Sequence, residues 1–429
     1  MPWRVGWEPG MPRADHFQDV SYSGNLSPGE TSRTLNDFVP SPTRTHNLGS
    51  PTEEWENAYI HNLHVSGSGL DVTGYGATPD AQAITTGSTT SGTTTLTAPS
   101  GTFAAADVGK HIRIRNQSTK AVVFKGSISA FVASTQVTLS GNASATLTGN
   151  AWVVWGTDNA TAIQAALDAA EDLVTGPTIA DFIDQNNFPL KLGAAIVKFP
   201  VTTAGSMYLY STQLSVARKV DVDAEAMLFN NAGDGTASDR VWGILFLPGA
   251  HCSRLVMDCG GGMGVKFGTV LVQSNSYVGI IQLWHPGSNN NALLTPPDQT
   301  AIQVNGYDYH VNKVWIKGGG IGLDLSTADM RINQAEIIGS GIGCRIFDNG
   351  NVPGNIQINQ LTLDSIGSVG FRVEVGAEIT ARMHYFGATG LTSARTWAST
   401  MSIQWTWNLR SPTILRLPHC ASPIRLIPA

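Results

Sequence analysis

The sequence predicts an all-β protein whose body is a single-stranded parallel β-helix, on three observations. Between His251 and Val375 the chain repeats one pattern four times: glycine or serine, apolar, glycine, apolar, charged, apolar. The copies are Gly262–Phe267, Gly320–Leu325, Gly341–Ile346 and Ser368–Val373, and their second glycines (Gly264, Gly322, Gly343, Gly370) stand 58, 21 and 27 residues apart. A period of 20–30 residues carried by short alternating strands belongs to a solenoid. Further strand-like runs lie between the copies, at Val311–Ile316, Ala335–Ile338 and Ile356–Leu363, so each repeat holds at least two strands joined by a glycine or asparagine corner. The 58-residue gap fits two or three turns of chain, with Val278–Leu283 and Ala301–Val304 as its strands.

Composition agrees. The chain has 429 residues, 14% of them charged, and 46 glycines, as many short strands with many tight corners require. A net charge of −6 leaves no overall basic footprint for nucleic acid. Four cysteines, Cys252, Cys259, Cys344 and Cys420, show neither CxxC spacing nor a histidine partner pattern. Cys344 falls in the inward slot that Leu323 and Phe371 occupy in neighbouring repeats, so a core role is expected. No signal-peptide pattern opens the chain and no run of about 18 apolar residues occurs, which predicts cytoplasmic synthesis and no membrane insertion.

In chain order, residues 1–42 show no sustained period but carry Trp3, Trp7 and Phe17, costly to leave in water, and are expected to be an arm that orders against a partner. Residues 43–69 hold a turn, Trp55, Tyr59 and an alternating strand Ile60–Val65, too small to bury their own aromatics. Residues 84–155 alternate strongly over Thr93–Thr97, His111–Arg115, Ala121–Phe131, Gln136–Leu139 and Ala151–Val154. A small inserted β-barrel or sandwich is expected there, either a carbohydrate-binding unit or, since its outward residues offer no aromatic platform, a structural spacer, the reading favoured here. A helix is expected just after it, capped by Asp158 or Thr157, with Ile163, Ala166, Leu167 and Ala170 as its apolar stripe. The body then runs over 194–390, and 391–429 is expected to be a C-terminal cap or trimer contact, with Ser402–Leu409 as a last strand.

Two segments resemble known families. The string Leu48-Gly49-Ser50 followed by Trp55 and Tyr59 resembles an attachment module of bacteriophage tail fibres and tailspikes, over about twenty residues. Tyr75-Gly76-Ala77-Thr78-Pro79-Asp80 resembles the opening turn of the pectate-lyase-like superfamily, whose next element is a helix covering the end of the solenoid. Here that motif is split, residues 70–83 lying before the insertion and 156–193 after it. A strand ending in Phe199-Pro200 resembles the same superfamily's first turn of chain. Together these resemblances imply a right-handed β-helix in a homotrimeric tailspike or tail fibre. It would be fixed to a tail, adaptor or baseplate protein through its N-terminus and assembled in the host cytoplasm before joining the virion.

No motif fixes a reaction: GxSxG, HExxH, P-loop and zinc spacings are absent, and neither metal nor cofactor is expected. Stacking offers a column argument instead. Matching Val314/Ile316, Ala335/Ile337 and Leu361/Leu363 as inward pairs puts Trp315, Glu336 and Thr362 outward on one face. A sugar's apolar face packs on an indole while a carboxyl addresses the glycosidic oxygen. Glu336, with Asp364 or Asp308 as second acid, is therefore the candidate catalytic set, and Trp315, Tyr307, Tyr309 and His310 the candidate binding set. The outward slot of the glycine pattern holds Lys266, Asp324, Arg345 and Arg372, with Asp324 and Arg345 expected to form a surface salt bridge. The calcium-binding aspartate cluster of pectate lyases has no counterpart, which argues against their mechanism. The expected function is binding of a host surface polysaccharide, with depolymerisation by hydrolase or lyase chemistry if the acids are catalytic. The alternatives are a non-catalytic structural fibre or adhesin and a free polysaccharide lyase.

Overall fold

The computed structural model describes residues 69–99, 103–174, 195–233, 241–260, 262–268, 273–285, 300–347, 355–367, 369–374, 379–386, 392–393 and 401–405, all within one compact unit, Ser66–Ala429. The arm 1–42, the attachment module with Trp55 and Tyr59, Cys420 and the proline-spaced tail lie outside the described residues.

Eighteen of the described strands form one sheet with parallel pairing, and six more close into an antiparallel barrel. Parallel neighbours cannot be joined by a tight hairpin, so the pairing follows the sequence repeat. Ile321–Leu325 pairs with Ile342–Ile346, which pairs with Val369–Val373. The outer run Met330–Ile338 pairs with Ile356–Asp364, which pairs with Ile379–Phe386. The expected inward pairs coincide with this register: Val314, Ala335 and Leu361 stack, as do Ile316, Ile337 and Leu363, and all six lie in one continuous core. Leu323, Cys344 and Phe371 stack in the same interior.

The glycines have a reason beyond turns. Register sets Gly264, Ala301, Gly322, Gly343 and Gly370 in line across five strands. A Cβ on Gly343 would come within 2.5 Å of the Gly370 carbonyl oxygen and 2.7 Å of Leu363 Cδ2. Close backbone approach, rather than a left-handed φ, excludes a side chain there. The true corners fall elsewhere, at Gly318, Gly319 and Gly339, whose φ values are 87°, 95° and 68°. The long strands Thr300–Lys317 and Ile321–Ile338 each bend midway, where Asp308 and Asp329 take φ of 59° and 52°. Aspartate tolerates that left-handed geometry better than most side chains.

The helix spans Ala160–Val174 and buries Ala160, Ile163, Ala166, Leu167 and Ala170 against the first strands. Its capping differs from expectation. Asn159 occupies the N-cap position, its carbonyl accepting from Ile163 N at 2.9 Å, while Asp158 accepts from Ala160 N and from Ser211. The Asn159 side chain is spent on Thr78, accepting from its N–H at 2.6 Å and donating to its carbonyl at 3.0 Å. Asp80 accepts from Thr157 N and Oγ1 at 2.9 and 2.8 Å. The two halves of the split motif are thus rejoined by side chains across the insertion.

The insertion is the closed barrel. In chain order its strands are Gln82–Thr89, Thr95–Thr97, His111–Asn116, Val122–Ala133, Gln136–Leu139 and Leu147–Gly156, around a core that includes Leu96, Ile112, Ile114, Val137 and Val153. The alternation that fills this core sends Arg113 and Arg115 to the other side of their strand, and both are buried against the parallel sheet. Arg115 meets Asp258 at 3.2 Å and lies 4.4 Å from the Trp152 ring, which packs 4.1 Å from Trp284. Arg113 donates to Asn231 Oδ1 at 2.8 Å and to the carbonyls of Gly260 and Gly233. Two buried cations plugged into a neighbouring sheet make a rigid seam.

Candidate functional site

The outer strand runs carry the candidate site, and register builds it directly. Gln282, Trp315, Glu336, Thr362 and His384 are successive Cα partners, one per strand. All five side chains are half-buried or exposed, whereas Val314, Ile316, Ala335, Ile337, Leu361 and Leu363 on either side point into the core. Neighbouring parallel strands lie roughly 4.8 Å apart. The indole of Trp315 and the carboxyl of Glu336 are therefore adjacent on one surface, with Thr362 and His384 the next two steps.

Asp364 belongs to the adjoining column, as the partner of Ile338. It is the diagonal neighbour of Glu336: one strand step and one two-residue step put their Cα atoms roughly 8 Å apart. Side chains starting from that Cα separation can bring their carboxyls to the separations used by a pair of glycosidase acids. Asp364 accepts a hydrogen bond from Ser365 Oγ at 2.9 Å, which orients the carboxylate.

The other sequence candidates separate. Asp308 sits at the left-handed corner of its strand, half-buried, beside Asp329. It lies seven residues from Trp315, roughly 23 Å along the strand, so it cannot act as second acid to Glu336. Its residue type answers to the corner. Tyr307 is on the far side of that corner, paired with Gln273 and Ala328. Tyr309 is 1% exposed, packs edge-on against Phe267 and donates to the Asn305 carbonyl at 2.6 Å. It is a core residue that no substrate reaches. Two outward residues in succession, Asn312 and Lys313, separate inward Tyr309 and Val311 from inward Val314 and Ile316, so counting back from Trp315 misplaces this tyrosine. His310 is exposed and pairs with Arg331, and the break in alternation at Asn312 and Lys313 separates it from Trp315 on its strand.

Other members of the face carry no motif. Asn312, Asn333 and Asn359 form an exposed amide ladder, with Nδ2 to Oδ1 distances of 3.2 and 3.3 Å. His384 closes the Trp315 column at a strand outside the glycine repeat. Its place one strand beyond Thr362, as Glu336 is one strand before it, is visible only once the register is known.

The second polar column also assembles. Lys266, Gln303, Asp324, Arg345 and Arg372 are successive partners. The expected surface salt bridge is instead a sealed one: Asp324 is 0% exposed and receives Arg345 Nε at 2.7 Å and Nη2 at 2.8 Å, with Gln303 Nε2 at 3.1 Å. Burial pushes the Asp324 carboxyl above its ordinary range, with the hydrogen bonds and charge of Arg345 pulling the other way. This column is structural.

Among the described residues no group of three His, Cys, Asp or Glu side chains is placed to hold a metal ion, and no helix is long and apolar enough to cross a membrane. No protein-family model, curated protein or solved structure matches the chain.

Proposed function

We propose that the chain winds into a right-handed parallel β-helix and serves as a phage tailspike or tail fibre that binds a host surface polysaccharide and cleaves it at Glu336. The single observation that carries the glycan reading is the column Trp315–Glu336–Thr362, with Asp364 diagonal to the glutamate. The indole offers a flat apolar seat for a pyranose, and the two acids stand one strand and two residues apart, from where their carboxyls can reach the separation of an acid and its partner. Glu336 protonates the leaving oxygen, and Asp364 takes the nucleophile or base role. Support for the winding comes from parallel pairing at each sequence repeat and from one unbroken core shared by successive strands. Attachment to a virion rests on the Leu48-Gly49-Ser50, Trp55 and Tyr59 string, and assembly as a homotrimer on the same resemblance.

The test is incubation of the full chain with purified bacterial envelope polysaccharides, sizing the products. Oligosaccharides released by the parent protein and lost in Glu336→Gln and Asp364→Asn support cleavage. New reducing ends identify a hydrolase, and unsaturated uronate absorbance a lyase. Glycan that is bound but left intact would make the protein an adhesin.

A further inference from the structure

We infer that the ligand of the Trp315 face is a polyanionic glycan, lying across the strands and held by cations that form no ion pair with another described residue. This inference rests on the glycan reading above and adds the charge class. Over the outer runs His310–Lys317, Arg331–Ile338, Gln357–Asp364 and Thr380–His384 there are four Lys or Arg residues (Lys313, Lys317, Arg331, Arg382) against two acids, Glu336 and Asp364. The whole chain carries the opposite balance, −6. Local positive charge on an acidic protein is a focused feature and attracts anions in spite of the total.

Pairing sharpens the contrast. Elsewhere the arginines are engaged: Arg115 with Asp258, Arg254 with Asp223 and Glu225, Arg345 with Asp324, Arg372 with Glu374. Lys313, Lys317, Arg331 and Arg382 form no ion pair with another described residue. Lys317, Arg331 and Arg382 are exposed and Lys313 is half-buried.

Register places these charges around the candidate acid. Lys313 and Lys317 flank Trp315 on its own strand, so both are diagonal neighbours of Glu336. Arg331 lies farther along the Glu336 strand, and Arg382 two strands beyond it. The asparagine ladder fills the gap between Arg331 and Lys313 with amides suited to sugar hydroxyls. At the other side, Trp284, the strand partner of Asp258 and Lys317, is stacked on Trp152 of the barrel, so the seam walls off the face one step before Lys317. The four cations are spread over three strands with glutamines and asparagines between them, so together they offer separate anchoring points to a chain that carries several carboxylates or phosphates.

The experiment applies the full chain to an array of neutral bacterial polysaccharides, uronate-, sialate- or phosphate-bearing ones, and single-stranded oligothymidylate, at low and high salt. Retention of acidic glycans only, falling at least tenfold with salt and at least tenfold in Lys313→Gln/Arg331→Gln, supports the inference. These side chains lie on the outer surface, and an unchanged circular dichroism spectrum and Tm confirm that the variant folds. Equal retention of neutral glycans, lost in Trp315→Ala but unaffected by the charge variant, overturns the polyanion and leaves the glycan site standing. Retention of oligothymidylate alone, or of nothing, overturns both.

Discussion

Two columns of polar residues are built by the same repeat and meet different fates. Gln303, Asp324 and Arg345 stack one strand apart, as do Trp315, Glu336 and Thr362, yet Asp324 is wholly buried while Glu336 is half in water. In the sealed column the buried Asp324 carboxylate finds its counterion, Arg345, on the next strand, because a desolvated charge without one is prohibitive. In the open column the lysines around Glu336 form no ion pair with another described residue, and water solvates them. A parallel stack thus turns one sequence device into either a clamp or a docking face, and coverage decides which.

Breaking the clamp has the largest expected effect. Arg345→Met strands the Asp324 carboxylate and should cost about 3–5 kcal/mol in urea unfolding, with much of it regained in the Asp324→Leu/Arg345→Met pair. An acid titration ranks next, at the barrel seam. His285 is 1% exposed, its Nε2 is 2.8 Å from the Gly262 carbonyl, and burial holds its pKa down to about 4. The folded state therefore keeps the ring neutral, and its contribution is complete above the unfolded value of about 6.5. It is lost as pH falls from there through 4, by about 3 kcal/mol in all. His285→Leu should flatten the stability profile between pH 6.5 and 5, above most carboxylate titrations. Gly343→Ala, forcing a methyl against the Gly370 carbonyl, is expected to lower stability by about 1–3 kcal/mol in thermal unfolding. The open column should scarcely register in the same assays. Glu336→Gln is expected to shift stability by less than about 0.5 kcal/mol while lowering glycan cleavage by about 10²–10⁴-fold. A destabilisation as large as that of Arg345→Met would remove the distinction between the columns.

The columns were legible because stacking needs only period and phase. Glycines at 264, 322, 343 and 370 gave the period, and the apolar pairs at 314/316, 335/337 and 361/363 gave the phase. Local breaks in phase were not legible. The two successive outward residues Asn312 and Lys313 hid the inward direction of Tyr309, and no residue near Asp324 announced that the slot is covered. His384 was missed because its strand, Ile379–Phe386, lies beyond the last copy of the glycine pattern, so no later copy sets the count. Arg113 and Arg115 alternate like solvent-facing residues of a barrel strand, and only the neighbouring sheet makes them interior.

The rejoined motif has a consequence for how such a chain could be re-engineered or diversified. Asp80 holds Thr157 and Asn159 holds Thr78, so the barrel leaves and returns at nearly the same point, and a short linker would span its excision. The opening turn and the helix would survive that surgery, but Asp258 would lose Arg115 and Trp284 would lose its cover. A viable graft must therefore bring its own guanidinium and ring, or replace Asp258 and Trp284 together with residues content in water.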